Sequence, residues 1–150
     1  MIMEKKFELT DKFIINVFGI KLFQIKCTKS FKYAQKGDLG GYVEKEGNLD
    51  QENDAWVSGN AWVSGNAQVS GDANIKNNNE HCGFDGFGSC NRHTHAYLTK
   101  EKKVEITCGC FRGSIEEFEK KVEETHSGTI YEKQYKAIIN VIKIKFGLTD

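Results

Sequence analysis

Between Asp54 and Ile75 the chain repeats one six-residue unit three times and begins a fourth: Asp54-Ala-Trp-Val-Ser-Gly59, Asn60-Ala-Trp-Val-Ser-Gly65, Asn66-Ala-Gln-Val-Ser-Gly71 and Asp72-Ala-Asn-Ile75. A period of six with one branched apolar and one small residue per unit points to a parallel β-helix, in which each unit supplies a short strand and a corner. Three units close one coil. The apolar slots are Val57, Val63, Val69 and Ile75, with Ala55, Ala61, Ala67 and Ala73 two residues before each. Leu49 and Val43 continue the apolar slot backward, and Gly47 and Gly41 continue the small one, if two extra residues lie between Leu49 and Val57. Val43 is then expected beside Val63, Leu49 beside Val69 and Val57 beside Ile75. Ser-Gly-Asn suits the corners, because glycine tolerates positive φ and asparagine adopts it more readily than most residues.

Coils about 4.8 Å apart make a stub on the order of 10 Å tall, with two open ends to be covered by flanking segments or another subunit. The fold expected is therefore mainly β with α, a short parallel β-helix of about two coils. Residues 1–80 would hold this stub and an N-terminal hairpin, residues 81–150 a smaller module. The hairpin is read from two β-rich runs, Phe13 to Val17 and Lys21 to Cys27. Phe23, Ile25 and Cys27 alternate with polar residues and are expected on its buried face, plugging the lower end of the stack.

Residues 81–150 read as a ββαα module. A glycine-rich loop from Gly83 to Arg92 leads into strands at 95–99 and 104–108, joined by a turn from Lys100 to Lys103. Ser114-Ile-Glu-Glu117 is a capping box and opens a helix with Ile115, Phe118 and Val122 on one face. His126-Ser-Gly128 stops it. A second helix from about Tyr131 would bury Tyr135, Ile138, Ile139, Ile142 and Phe146.

An apolar hairpin, then Gly37-Asp-Leu-Gly-Gly-Tyr-Val-Glu44, then Asn48-Leu49, then Trp-Val-Gly-Asn hexapeptides, resembles bacterial and bacteriophage left-handed β-helix proteins of the hexapeptide-repeat, YdcK-like kind. The likeness covers roughly residues 7–76. Left-handedness is what the resemblance implies; the period does not supply it. The tail is similar to a segment recurring in phage proteins, with Gly-Ser-x-Asn-Arg, Cys-Gly-Cys-Phe and Glu-Glu-Phe stretches. The resemblance implies a phage or prophage setting, in which small proteins often counter host defence.

Hexapeptide acyltransferases usually carry a histidine base on a coil, yet no histidine precedes His81. No catalytic residue is assigned, and the enzyme reading stays a minor alternative. Five cysteines, an odd number, read as thiols. Cys82, Cys90, Cys108 and Cys110 lie near His81, His93, His95 and His126, but the only tight pair, Cys108 and Cys110, lacks the two-to-four-residue spacing of structural zinc sites. No metal and no cofactor is expected. Cys90 with His93 or His95 could form a nucleophile and base, but no oxyanion hole or orienting acid accompanies them.

The candidate ligand site is the loop carrying Gly86, Gly88, Ser89, Asn91, Arg92 and Thr94. Its glycines would expose backbone N–H groups, its hydroxyl and amide side chains would add donors, and Arg92 would clamp a phosphate. The alternative is a structural loop with Arg92 pairing a helix glutamate. Tyr42, Trp56 and Trp62, outward on the coils, form a candidate interaction surface for a homo-oligomer, the chain's own tail or a foreign partner.

Lysine plus arginine and aspartate plus glutamate both number 21, a formal net charge of zero. That argues against strong general nucleic-acid binding. No apolar run is long enough to span a bilayer and no secretory segment is evident, so no membrane association and a cytoplasmic location are expected. The leading expectation is a non-catalytic binding protein, sequestering a nucleotide-like small molecule or blocking a host defence protein. A structural or assembly module oligomerising through the β-helix is the alternative.

Overall fold

The computed structural model describes residues 4–99 and 101–148. The chain forms two compact units, Met1–Asn79 and Glu80–Asp150. No helix among the described residues is long and apolar enough to cross a membrane.

In the first unit, strands β1 (Phe7–Ile15) and β2 (Lys21–Cys27) form an antiparallel hairpin, closed by an Asn16 side chain that accepts from the Phe18 and Ile20 N–H groups. Strand β3 (Leu39–Val43) pairs antiparallel with β2 on one edge and parallel with β5 (Trp62–Val63) on the other. A separate two-stranded parallel pair joins β4 (Trp56–Val57) to β6 (Asn74–Ile75). The pairings expected of the repeat are present: Val43 with Val63, Val57 with Ile75, and Leu49 with Val69 as a single parallel bridge.

The expected left-handed parallel β-helix is nevertheless overturned. Its hallmark, a long parallel stack, is not found among the described residues, where parallel pairing stops at two-residue strands and one bridge. The hairpin is the reason. It does not plug a stack end but adds edge-on to β3, giving a mixed sheet ordered β1-β2-β3-β5.

The repeat still builds the core. Val43, Leu49, Val57, Val63, Val69 and Ile75 are all buried, as are Ala55, Ala61 and Ala73. The glycines of the three Ser-Gly corners, Gly59, Gly65 and Gly71, take φ between 58° and 70°, the left-handed region that costs other L-residues about 1–2 kcal/mol. Asn48, fully buried, ties two adjoining segments together. Its side-chain amide donates to the Gly65 and Ala67 carbonyls at 3.1 and 2.8 Å, and its Oδ1 accepts from the Lys45 N–H.

The hairpin departs from simple alternation. Ile25 and Cys27 are buried as expected, but Leu22 is also buried and Phe23 only partly. Register shifts occur on both sides of β2, between Leu9 and Phe13 and between Gln24 and Lys26. A bulge inserts residues into one strand and re-aims the side chains beyond it.

The second unit is a four-stranded antiparallel sheet ordered β10-β9-β8-β7, followed by two helices. Its strands are β7 (His81–Phe87), β8 (Arg92–Leu98), β9 (Val104–Cys108) and β10 (Phe111–Ser114). The expected ββαα module thus gains two strands. The turn expected at residues 100 to 103 starts at Lys100, which lies outside the described residues. Helix α1 (Ile115–His126) starts on the expected capping box: Ser114 Oγ accepts from Glu117 N–H at 3.1 Å, and Glu117 Oε1 accepts from Ser114 N–H at 3.0 Å. Helix α2 (Ile130–Lys145) is capped by Thr129, whose hydroxyl accepts from Glu132 N–H. Ile115, Phe118 and Val122 of α1 and Tyr135, Ile138, Ile139 and Ile142 of α2 join Ala96, Val104, Ile106 and Cys108 of the sheet in one core, with Phe146 packed against it.

Candidate functional site

Two turns of the second unit bring its polar side chains together. The first links β7 to β8. Gly88 takes φ 82° and Asn91 takes φ 50°, and the Asn91 N–H reaches the Gly88 carbonyl at 3.3 Å, which sets Ser89 and Cys90 at the tip. The second links β9 to β10 through Gly109 and Cys110. Gly109 takes φ 59° and Cys110 does not take a positive φ, the pattern of a two-residue turn with glycine first. A turn there means that Cys108 and Cys110 do not share one strand face: Cys108 is buried and Cys110 exposed.

Arg92 joins the two turns. Its guanidinium lies over Gly109, where a Cβ would collide with it. Its side chain also lies near Cys90, and that interaction raises the arginine above its ordinary value.

Between these turns and the helices lies a cleft of about 260 Å³, lined among others by Ser89, Arg92, Phe111, Lys121, His126 and Tyr135. Arg92 and Lys121 are its charged residues, and among the described residues no carboxylate lines it. Its floor is aromatic. Phe118 packs against Phe111 with centroids 5.2 Å apart and edge-on against Tyr135 at 5.5 Å, and His126 stacks on Tyr135 at 5.6 Å. Burial holds the Tyr135 hydroxyl protonated well above the usual phenol range, and the Cys108 thiol beside it at 3.7 Å adds to this.

The expected loop residues divide. Ser89 and Arg92 line the cleft. Gly88 is buried, because a Cβ there would strike the Tyr135 hydroxyl, and its N–H donates to Gln134 Oε1 at 2.9 Å instead of facing an anion. Asn91 shapes the turn. Gly86, at φ 87°, is exposed in β7. Thr94 is fully buried and donates to Cys108 Sγ at 3.3 Å, so it belongs to the core. Lys121 and Tyr135 are not singled out as site residues by the sequence, and His126 enters there only beside the cysteines as a possible metal ligand. Tyr135 carried an apolar-face signal only, and nothing local links α1 or α2 to a loop some 30 to 45 residues earlier.

Of the aromatic surface residues, Tyr42 and Trp62 are paired neighbours across β3 and β5 and are partly buried. Trp56 is 3% exposed and meets Phe31 edge-on at 5.2 Å. It is a core residue, since the segment before β3 folds over it.

On the sheet face opposite the helices, set by strand alternation, a second polar cluster forms. His81 Nδ1 and His95 Nε2 are 3.0 Å apart, His93 Nδ1 is 2.7 Å from Asp85 Oδ1, and Tyr97 donates to Glu105 at 2.9 Å. Among the described residues, no group of three or more histidine, cysteine, aspartate or glutamate side chains is arranged to hold a metal ion. Cys90 and His93 do not form a nucleophile–base pair, because the His93 ring lies over Gly83 and is engaged by Asp85. Comparison with protein-family models, curated proteins and solved structures gives no match.

Proposed function

We propose that the protein is a non-catalytic binding protein that sequesters a small phosphorylated, nucleotide-like ligand in the cleft of its second unit. The observation that carries this reading is the cleft's composition: two cations, an aromatic floor and, among the described residues, no carboxylate. An anionic group would meet Arg92, whose planar fork suits bidentate phosphate contact, with Lys121 as a second point charge. A flat ring would lie against Phe111, Phe118 or Tyr135. The Ser89 and His126 side chains supply polar contacts at the margin. Sequestration fits the phage counter-defence setting that the family resemblance implies.

A panel of nucleoside mono-, di- and triphosphates and cyclic nucleotides, each beside its unphosphorylated nucleoside, tests the reading by calorimetry. Binding by at least one phosphorylated member, lost in Arg92→Ala and weakened in Lys121→Ala, is the expected result. Equal binding of nucleoside and nucleotide, or binding unaffected by either substitution, refutes it.

A further inference from the structure

Helix α2 carries more apolar surface than its own core uses. Tyr135, Ile138, Ile139 and Ile142 turn inward. A second row, Ile130, Gln134, Ala137, Val141, Ile144 and Leu148, runs along the helix at alternating intervals of four and three residues. That spacing keeps a row on one side of a helix and is the seam spacing of a coiled coil. The row lies roughly 130° around the helix from the inward residues. Its large members, Ile130, Val141, Ile144 and Leu148, are 47% to 64% exposed. Leu148 follows the Gly147 cap, at φ 71°, and its N–H returns to the Lys143 carbonyl at 2.8 Å, which keeps it beside the last turn. Scattered apolar side chains on a surface are ordinary, but these form one strip.

The row is complementary to itself when reversed. Two antiparallel copies with Ala137 opposite Val141 also place Gln134 opposite Ile144 and Ile130 beside the Leu148 end. A small side chain thus meets a larger one in the central layer. Parallel copies would instead set Ala137 on Ala137 and Gln134 on Gln134, leaving a gap and a buried amide pair in the seam. Charge agrees with the antiparallel arrangement. Lys133 and Lys145, both exposed, border the row on opposite sides. In that register they face Gly147 and Tyr131 of the second copy, so no like charges are opposed. The exposed Asn140 lies near the twofold axis, facing the Asn140 of the second copy, where two amides can hydrogen-bond.

We propose that the protein pairs with a second copy of itself through this row, the two α2 helices antiparallel about a twofold axis beside Asn140. One helix row is a small interface, at the lower end of the sizes that hold dimers, so pairing depends on concentration. Among the described residues, Tyr135 is the α2 side chain that lines the cationic cleft, and it is not in the row. Dimerisation and ligand binding therefore stand or fall separately.

Sedimentation velocity of the full-length chain, from low to high micromolar concentration, tests this. The average mass should rise from 17.0 kDa toward twice that value. Val141→Glu and Ile144→Glu, both at exposed positions, should leave the melting of the dilute monomer unchanged and raise the dimer dissociation constant about tenfold or more. A photocrosslinking amino acid in place of Ile130 reads the direction: it should attach near Leu148 of the second copy, not near residue 130. A chain that stays at 17.0 kDa throughout, including one that binds anionic lipid vesicles through the same row, overturns the proposal. So does a dimer that both substitutions leave intact, or a crosslink joining the two residues 130.

Discussion

At the scale of single residues, the first unit rests on two buried polar side chains. Lys6 is 3% exposed, yet its ammonium donates to the Asn53 and Ala55 carbonyls at 2.7 and 2.5 Å and lies 4.9 Å from the Phe31 ring centroid. Burial lowers its pKa from 10.5 to about 8, against the opposing charges of Asp50 and Asp54. Below pH 8 the folded and unfolded chains both carry the proton, and the cost of burying the charge is fully present. Between pH 8 and 10.5 the folded chain sheds it first, so this residue's contribution to stability rises with pH, by at most about 3 kcal/mol. Denaturant titrations at pH 7 and pH 10 should therefore show wild type gaining stability relative to Lys6→Met; parallel behaviour of the two proteins counts against a buried, titrating amine. Asn48 makes a sharper case. Asn48→Asp replaces an amide that donates to two carbonyls with a carboxylate facing both of them. A loss of about 3 kcal/mol at neutral pH is expected, from two lost bonds and a buried charge. Because a protonated carboxyl can donate again and burial raises its folded-state pKa above the ordinary value of about 3.9, the deficit should shrink as pH falls toward 4 and change no further below it, measured against Asn48→Ala.

Among the elements, legibility follows how local each signal is. The pairings of Val43, Leu49 and Val57 could be read because one branched side chain per unit marks the same inward position each time, and helix α1 because its cap and apolar face lie within nine residues, from Ser114 to Val122. The bulges flanking β2 were not legible: nothing in Lys21 to Cys27 says where the register slips. Strand β7 was hidden by Gly83 and Gly86, which depress strand preference. Gly83 is there because the His93 ring on β8 leaves no room, with its Cε1 2.6 Å from a would-be Cβ, a close approach of the kind strand glycines often mark. The wall that α1 and α2 give the cleft depends on tertiary packing alone. Gly109→Ala probes the element that sets the site. It combines a left-handed φ with a Cβ placed in the guanidinium of Arg92, the movable end of a long side chain, so it should cost about 1–2 kcal/mol of backbone strain and displace Arg92. Gly47→Ala is the control, for a Cβ there meets nothing within 4 Å and its φ is not positive. Both are measured by chemical denaturation, and similar losses would show that Gly109 is not held in the left-handed region.

For the whole molecule, charge decides what can be recognised. With 21 cationic and 21 anionic side chains, no net field draws a polyanion from a distance, and ions at physiological strength screen separations beyond about 8 Å. Recognition of an anion must then be local, and the cleft offers Arg92 and Lys121 for it. Two cations can neutralise one phosphate group or two adjoining ones, not a nucleic-acid backbone. Salt separates the cases. A nucleic-acid partner making six to ten phosphate contacts would lose about 10³–10⁵ in affinity between 50 and 200 mM salt. A nucleotide held by two cations should lose roughly one order of magnitude or less over that range. At a hundred times its Kd such a ligand adds about 2.7 kcal/mol to folding stability, visible as a raised melting temperature that Arg92→Ala abolishes. Fluorescence anisotropy with a labelled nucleotide and with a labelled oligonucleotide, each at four salt concentrations, measures both slopes on the intact protein. A steep slope with the oligonucleotide, unaffected by Arg92→Ala, would place recognition on a broader surface than this cleft.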